Sequence, residues 1–175
     1  MKIRKAIFLD RDGVISIPNT VNGKGFAPLI IEDFKIYEDA SKSLLLSRNS
    51  GFINIVISNQ PDRSNGKLSK KNLEAMDKLL LEQLAIDEVY NCPHSAADGC
   101  ECRKPKPGML QTAILKHNID ETQSWLIGDR DSDIASGLKV GLKTIFIDRK
   151  WDKEFGGDAN FRCNSLLQAI QKILG

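Results

Sequence analysis

The chain has 175 residues, of which 41% are hydrophobic and 27% are charged, and its formal net charge is +2. This length suits one domain, residues 1–175, with a sizeable core, while the small net charge argues against a protein that binds nucleic acid mainly through its charge. No apolar run approaches the roughly 20 residues that a membrane span needs, and the first predicted strand leaves no room for a signal peptide. We therefore expect a cytoplasmic protein, monomeric, with no membrane or nucleic-acid partner.

The first predicted strand, residues 3–9, ends at Asp10 and Asp12, and Gly13 follows. A short continuous apolar run is typical of a buried parallel strand, and in open α/β sheets the chemistry lies just past the carboxyl ends of such strands. Two carboxylates this close resist ionising together unless a cation joins them or one of them stays protonated. The motif indicates a site for a hard cation, a nucleophile beside a general acid/base, or both.

The rest of the chain alternates between helical and extended patterns. Residues 16–33 have no clean periodicity and are predicted to be an irregular loop that covers the site. Residues 150–160 are predicted to be a second loop. The remaining elements follow from hydrophobic periodicity: helices over 38–49, 68–84, 108–118, 134–140 and 165–174, and strands over 52–57, 87–90, 124–127 and 144–147.

Four residues of one short segment form the pattern Cys92-x-His94 followed by Cys100-x-Cys102. In a reducing compartment, clustered cysteines are more often metal ligands or catalytic groups than disulfides. Tetrahedral zinc takes three thiolates and one imidazole, and four protein ligands are typical of a structural site. The segment therefore predicts a zinc-binding loop, with coincidental free cysteines as the alternative. Cys163 lies apart and is expected to be an ordinary surface or core residue.

Three cations, Arg103, Lys104 and Lys106, follow the last proposed zinc ligand, and Pro105 and Pro107 stiffen their segment. A run of charges is often only a solvated surface. A rigid zinc-bound loop would instead hold these cations beside the start of the next helix. An anion-binding role is therefore favoured.

Polar residues also end two later strands. Ser58 follows the strand at 52–57, where a serine is equally compatible with a turn, and Asp129 and Asp133 follow the strand at 124–127. Strands that alternate with helices predict an α/β fold with a parallel sheet and helices on both faces. The carboxyl ends of its strands lie along one edge, so these residues are expected near Asp10.

The residues gathered at this edge have the composition of a phosphate-handling site. Asp10 and Asp129 supply the oxygen ligands that Mg²⁺ prefers, and Ser58 and Lys104 supply a neutral donor and a cation for phosphoryl oxygens. No arrangement of histidine and serine suggests a hydrolase triad, because His94 is assigned to zinc. A carboxylate nucleophile that forms an aspartyl-phosphate remains.

The motifs, in this order, resemble the four motifs of the haloacid-dehalogenase (HAD) superfamily of phosphatases. They are Asp-Arg-Asp-Gly-Val at 10–14, Ser58, Lys104, and Gly-Asp-x-x-x-Asp at 128–133. Phe-Leu-Asp-Arg-Asp-Gly, combined with Cys-Pro-His…Cys-x-Cys-Arg-Lys-Pro, resembles a narrower branch, the zinc-containing heptose bisphosphate phosphatases and histidinol-phosphate phosphatases. The resemblance implies a three-layer, Rossmann-like HAD fold with no large cap domain, in which Mg²⁺ acts in catalysis and zinc is structural.

The resemblance also implies a role for individual residues. Asp10 would be the nucleophile, and Asp12 would be the general acid/base with its backbone carbonyl on Mg²⁺. Asp129 would be the remaining metal carboxylate, and Asp133 would support the metal shell or Lys104. The phosphoryl group would be held by Ser58 and Lys104, and the substrate-binding candidates are Arg11, Asn59, Gln60, Arg103 and Arg130.

The substrate is expected to be a small phosphorylated metabolite. Arg-Lys-Pro-x-Pro-Gly-Met at 103–109 favours D-glycero-D-manno-heptose 1,7-bisphosphate or a related heptose phosphate. The five-residue gap between His94 and Cys100, and Gly-Asp-Arg at 128–130, are more similar to the histidinol-phosphate branch, which is the alternative. A nucleic-acid 3′-phosphatase is a weaker hypothesis because no aromatic and basic strip is evident. An inactive, zinc-stabilised binding module is the hypothesis from a different class.

Overall fold

The computed structural model describes residues 3–151 and 153–175. The expectation about a signal peptide rests partly on residues 1 and 2, which lie outside the described residues. Within these ranges the strands are, in chain order, β1 (Lys5–Leu9), β2 (Ser16–Ile17), β3 (Asn19–Val21), β4 (Lys24–Phe26), β5 (Lys35–Ile36), β6 (Phe52–Asn59), β7 (Glu88–Cys92), β8 (Trp125–Gly128), β9 (Lys143–Ile147) and β10 (Phe161–Cys163). The α-helices of the described chain are α1 (Ala40–Asn49), α2 (Lys70–Gln83), α3 (Gly108–His117), α4 (Asp131–Leu138) and α5 (Leu166–Leu174).

Six strands form one parallel sheet in the order β10-β9-β8-β1-β6-β7. The chain runs outward from β1 to β6 and β7 and then returns to the other side of β1 as β8, β9 and β10. The sheet order therefore reverses at β1, and ligands of open α/β sheets bind at such a switch point. The predicted α/β fold is confirmed.

Successive residues of β1 face the two sides of the sheet, as the period of a strand requires. Ile7 and Leu9 pack in one core cluster, with side chains of α1, α2 and α5. Ala6 and Phe8 pack in the other, with side chains of α3. The sheet is thus covered on both faces, which explains why β1 reads as a continuous apolar run.

Several elements differ from the sequence-based prediction, among them the short strand β5, which was not predicted. Residues 16–33 are not an irregular loop: β3 and β4 pair antiparallel around Asn22 and Gly23, both at positive φ. Asn-Gly between short extended segments is a strong hairpin signal, so the sequence carried this information. The edge strand β10 was also missed, because two of its three residues are exposed and give no apolar pattern.

The segment between β1 and α1 contains only the small sheets β2–β5 and β3–β4. The expected absence of a large cap domain at this position is therefore confirmed. In the described part of the chain, no helix has the length and hydrophobicity needed to cross a membrane.

Candidate active site

The carboxyl ends of three neighbouring strands meet at the switch point. Asp10 follows β1, Ser58 is the second-to-last residue of β6, and Asp129 follows β8. All three side chains are buried. The parallel sheet thus brings together residues that are far apart in sequence, as expected from the order of the elements.

Lys104 lies at the centre of this group and is buried. Its Nζ donates to Asp10 Oδ1 at 2.7 Å and to the Ile57 carbonyl at 2.8 Å, and it lies 2.6 Å from Asp133 Oδ1. Burial alone would lower the pKa of Lys104, but the carboxylates of Asp10 and Asp133 outweigh it, and the pKa is raised above its ordinary value. Lys104 is therefore a permanent cation, and Asp133 holds it in place.

Three buried carboxylates, those of Asp10, Asp129 and Asp133, offer oxygen atoms that lie within 4.8 Å of one another. Burial raises the pKa of Asp10 to about 6 although Lys104 opposes the rise, and burial followed by the charge of Asp10 raises the pKa of Asp129. Asp129 Oδ1 has no hydrogen-bond partner among the described residues. A second cation with a preference for oxygen would allow these groups to ionise together, so the residues fit Mg²⁺.

The side chain of Asp12 points away from this group, which is compatible with the expectation that only its backbone carbonyl reaches the metal. Its Oδ1 accepts from Ser16 Oγ at 2.9 Å. Its Oδ2 accepts from Arg11 Nε at 3.0 Å and from Gln60 Nε2 at 2.8 Å. Arg11 and Gln60 were expected to bind substrate, but both are fully buried and lie outside the cavity wall because their side chains turn to Asp12.

A cavity of about 520 Å³ opens above Asp10 and Asp12. Its walls come from five segments: the hairpin β3–β4 and the residue after it, the end of β6 with the residues that follow it, the segment of the cysteines with the three residues after Cys102, the start of α4, and Glu154. Three of the expected substrate-binding residues, Asn59, Arg103 and Arg130, line it. The hairpin thus covers the site, as was expected of residues 16–33.

The four predicted zinc ligands, Cys92, His94, Cys100 and Cys102, lie together with their ligand atoms within 4.8 Å of one another. The closest pairs are Cys102 Sγ with Cys92 Sγ at 3.1 Å and His94 Nδ1 with Cys102 Sγ at 3.2 Å. Burial raises the pKa of Cys92 to about 12, so a cation is needed to stabilise its thiolate. The donor set and its closeness fit a closed, tetrahedral zinc site.

The cysteine segment connects directly to the active site. Gly108, which begins α3, packs so closely on it that an added Cβ would lie 2.4 Å from the Glu101 carbonyl oxygen. Asn59, the last residue of β6, binds the backbone of this segment through two hydrogen bonds. Its Nδ2 donates to the Lys104 carbonyl, and its Oδ1 accepts from Lys104 N, both at 3.1 Å. Arg103 Nη1 donates to the His94 carbonyl at 3.1 Å. The position of Lys104 thus depends on the fold of this segment.

Two residues of the site were missed because the segment at 150–160 was predicted only as a loop. Trp151 Nε1 donates to Asp129 Oδ2 at 2.5 Å, which leaves Oδ1 for a cation. Glu154 Oε1 lies 3.6 Å from Arg130 Nη1, and Arg130 Nη2 donates to the Gly25 carbonyl at 2.6 Å. A tryptophan in a polar loop was the available signal for the first contact; no local pattern indicated the second.

The close approach of Gly13 to Asp129 provides a test of the proposed metal site. The φ of Gly13 is +101°, and an added Cβ would lie 2.0 Å from Asp129 Oδ2. We expect Gly13→Ala to displace Asp129 and to weaken Mg²⁺ binding, measured by titration calorimetry, by about 10- to 100-fold. Gly141→Ala is the matched control, because Gly141 has φ +78° but no described atom within 4 Å of an added Cβ. Equal effects of the two substitutions would mean that backbone strain, not Asp129, is responsible.

The raised pKa of Asp10 predicts a pH dependence of stability in the metal-free protein. Between pH 3.8 and about 6 the folded chain keeps a proton on Asp10 that the unfolded chain has lost, so rising pH removes the stability that this group contributes. Asp10→Asn does not titrate. In EDTA, we expect the Tm of Asp10→Asn minus the Tm of the parent protein to increase as pH rises through this window. Each kcal/mol of unfolding free energy that the parent protein loses corresponds to about 2–4 °C in this difference. A constant or decreasing difference contradicts the assignment.

Comparison with known proteins gives matches over most of the chain. A family model described as HAD-hydrolase-like matches residues 101–154. The chain is 34% identical over 149 residues to the D-glycero-beta-D-manno-heptose-1,7-bisphosphate 7-phosphatase of Helicobacter pylori, over 82% of this chain and 83% of that one. It is 33% identical over 148 residues to the histidine biosynthesis bifunctional protein HisB of Campylobacter jejuni, over 81% of this chain and 41% of that one.

The solved structure of D,D-heptose 1,7-bisphosphate phosphatase from B. bronchiseptica, complexed with magnesium and phosphate, has a similar fold. The match covers 97% of this chain and 98% of that chain, with a TM-score of 0.81 at 21% identity.

Proposed function

The chain belongs to the HAD-like family of phosphatases, and from this premise we propose that it removes a phosphoryl group from D-glycero-D-manno-heptose 1,7-bisphosphate or a related heptose phosphate. The observation that carries the proposal is the cavity above Asp10, which has Arg103 and Arg130 in its walls. A bisphosphate has a second phosphate that needs cations away from the reacting centre, and arginine pairs well with phosphate. The relative from Helicobacter pylori carries a heptose bisphosphatase name.

The first half of the reaction transfers the phosphoryl group to Asp10. A carboxylate oxygen of Asp10 forms a bond to phosphorus while the bond between phosphorus and the sugar oxygen breaks. The electron pair of that bond stays on the sugar oxygen, which takes a proton from Asp12. The products are an aspartyl-phosphate at Asp10 and the free sugar alcohol.

The second half hydrolyses the aspartyl-phosphate. Water attacks phosphorus, and the Asp12 carboxylate, which lost its proton in the first half, takes a proton from the water. The bond between phosphorus and Asp10 breaks, and its electron pair returns to the carboxylate. Inorganic phosphate leaves, and both aspartates are restored.

Ser58 and Lys104 hold the transferred group. Ser58 Oγ accepts a hydrogen bond from Gln60 Nε2 at 2.8 Å, so its own O–H is the donor for a phosphoryl oxygen. Lys104 Nζ, already 2.7 Å from Asp10 Oδ1, supplies positive charge where the transition state gathers negative charge. Mg²⁺ held by Asp10, Asp129 and the Asp12 carbonyl would add charge stabilisation at the phosphoryl oxygens.

Zinc has a structural place in this proposal. Cys92, His94, Cys100 and Cys102 would hold the ion, and four protein ligands would leave it no open position for a substrate or a water molecule. Arg103 and Lys104 directly follow the ligand Cys102. The folded cysteine segment holds these two cations beside the phosphoryl group, and a zinc ion would stabilise that segment.

Histidinol phosphate is the second candidate substrate. The relative HisB from Campylobacter jejuni, at 33% identity, favours it, as do the five-residue gap between His94 and Cys100 and the sequence Gly-Asp-Arg at 128–130. Histidinol phosphate has one phosphate and a cationic amine. It would therefore use Glu154, which lines the cavity, more than the arginines.

A substrate panel tests the proposal. It contains both anomers of D-glycero-D-manno-heptose 1,7-bisphosphate, histidinol phosphate and glucose 6-phosphate, and the measurement is kcat/KM for phosphate release in the presence of Mg²⁺. We expect a preference of about 10²-fold or more for one heptose bisphosphate anomer over histidinol phosphate. A higher kcat/KM for histidinol phosphate overturns the heptose assignment, and activity that persists unchanged in EDTA overturns the Mg²⁺ dependence.

A further inference from the structure

The segment that follows β9 reaches the candidate active site with two side chains. Arg149 Nε donates to the Gly13 carbonyl at 2.7 Å, and Trp151 Nε1 donates to Asp129 Oδ2 at 2.5 Å. The guanidinium of Arg149 also lies over the ring of Tyr37, 4.0 Å from its centroid. The segment is therefore attached to the site at two points, the turn that contains Gly13 and the carboxylate of Asp129.

The two oxygens of the Asp129 carboxylate have different surroundings. Oδ2 accepts from Trp151, and Gly13 lies so close that an added Cβ would stand 2.0 Å from it. Oδ1 is buried and has no hydrogen-bond partner among the described residues. Buried polar atoms of native proteins are nearly always paired, and hydrogen bonds from outside a metal site commonly orient its ligands. The contact with Trp151 therefore determines which oxygen of Asp129 is left for a cation.

The ring of Trp151 also packs on the hairpin β3–β4. An added Cβ on Gly25 would lie 3.1 Å from Cζ2 and 3.2 Å from Cε2 of the indole, and 3.1 Å from Pro18 Cγ. Gly25 is buried, and it pairs with Thr20 across the hairpin. A side chain at this position would push the hairpin and the indole apart. One side chain thus contacts both the hairpin and the carboxylate of Asp129.

A second connection joins the same two parts of the molecule. Arg130, which directly follows Asp129, donates from Nη2 to the Gly25 carbonyl at 2.6 Å. Glu154 Oε1 lies 3.6 Å from Arg130 Nη1, and Glu154 Oε2 accepts from Asp131 N at 2.7 Å. Gly25 is also one of the residues that line the cavity. The position of the hairpin over the cavity and the position of Asp129 therefore depend on shared contacts.

We propose that Trp151 is a positioning residue of the metal site and couples that site to the covering hairpin. Its N–H keeps Asp129 Oδ1 available to the cation, and its ring transmits the position of Gly25 to the same carboxylate. The inference rests on the proposed function, because it assumes that Asp129 holds Mg²⁺. It makes the hairpin, which supplies none of the proposed metal ligands, a determinant of metal affinity, and by linkage Mg²⁺ stabilises the hairpin over the cavity.

The test measures Mg²⁺ affinity directly, by titration calorimetry on the intact chain without substrate. Trp151→Phe keeps an aromatic ring but removes the N–H. We expect about tenfold weaker Mg²⁺ binding, at the lower end of the range for the loss of an outer partner of a metal ligand. Trp125→Phe is the matched control, because Trp125 begins β8 and packs in the core and against Phe161, and it should leave the affinity unchanged. Equal Mg²⁺ affinities of Trp151→Phe and the parent protein overturn the inference.

Gly25→Ala tests the coupling to the hairpin. It inserts a methyl group between the hairpin and the indole and leaves Trp151 itself in place, whereas the control Thr20→Ala removes an exposed side chain of the same hairpin. We expect Mg²⁺ binding to weaken about threefold or more in Gly25→Ala and to stay unchanged in Thr20→Ala. In the background of Trp151→Phe, Gly25→Ala should add no further loss, because the smaller ring leaves room for the methyl group.

These variants keep the coupling falsifiable even if one of them is unstable. An unchanged affinity in Gly25→Ala, or an additive loss in the double variant, overturns the coupling. Thermal melting in EDTA shows whether Trp151→Phe is folded. If it is not, the comparison of Gly25→Ala with Thr20→Ala decides the inference.

Activity gives a second readout that a purely structural role of Trp151 would not produce. The Mg²⁺ concentration for half-maximal phosphate release should rise in Trp151→Phe by the same factor as the dissociation constant, and kcat should return at saturating Mg²⁺. A loss of kcat that saturating Mg²⁺ does not restore overturns the positioning role. A parent protein that binds no Mg²⁺ in the calorimeter overturns the proposed metal site itself, whereas a parent protein that binds Mg²⁺ no more tightly than Trp151→Phe overturns only this inference.

Discussion

Asp10→Asn is expected to lower kcat for phosphate release by about 10⁴-fold or more, in the range found when a catalytic group of a covalent mechanism is removed. The amide of asparagine is a poor nucleophile, and it also lacks the charge that Lys104 Nζ contacts at 2.7 Å. The measurement is kcat on the best substrate of the panel. Circular dichroism and thermal melting show whether the variant is folded.

Two controls make this result interpretable. Asp158→Asn changes an exposed aspartate that is not part of the site and should leave kcat unchanged. Mass spectrometry of the variant excludes deamidation of Asn back to Asp. Full turnover by an intact Asp10→Asn protein would falsify the assignment of the nucleophile.

Loss of zinc is expected to have the second largest effect. We expect one zinc ion per chain in protein purified without chelator, and loss of that ion in Cys102→Ser. Structural zinc contributes several kcal/mol to folding, and each kcal/mol corresponds to about 2–4 °C in Tm for a chain of this size, so Tm should fall by roughly 10 °C. The kcat should fall by about 10²-fold, as when one transition-state donor is lost, because Arg103 and Lys104 follow Cys102.

Cys163→Ser is the matched control for this experiment. Cys163 is a partly buried free cysteine, and it is not among the residues that form the Cys/His cluster. Its substitution should leave the zinc content and kcat unchanged. Elemental analysis that finds no zinc in the parent protein, or a Cys102→Ser variant that retains one zinc per chain, contradicts the prediction.

The fold and the position of the candidate site were largely predictable because each rests on a strong local signal. Continuous apolar runs that end at Asp10, Ser58 and Asp129 indicate buried parallel strands with polar ends. In a parallel sheet such ends must share an edge. The spacing of the cysteines and His94 likewise predicts that these side chains cluster, as they do, without knowledge of the rest of the chain.

The surroundings of these groups could not be predicted in the same way. Trp151 reaches Asp129, and Arg130 reaches the Gly25 carbonyl, through loops whose course depends on packing and not on periodicity. Arg11 lies beside two aspartates in sequence and was assigned to the substrate, yet its side chain turns inward. The direction of a side chain at the end of a strand depends on the backbone turn that follows, which a sequence pattern does not specify.

The central place of β1 in the sheet has a consequence for the order in which the site comes into being during synthesis. A chain still attached to the ribosome can pair β1 with β6 and bring Asp10 beside Ser58 as soon as both have emerged. Asp129 follows β8, which occupies the other side of β1. A nascent chain that stops before β8 therefore contains Asp10, Asp12 and Lys104 but lacks Asp129, and the proposed metal site can form only after residue 129 of the 175 has been translated.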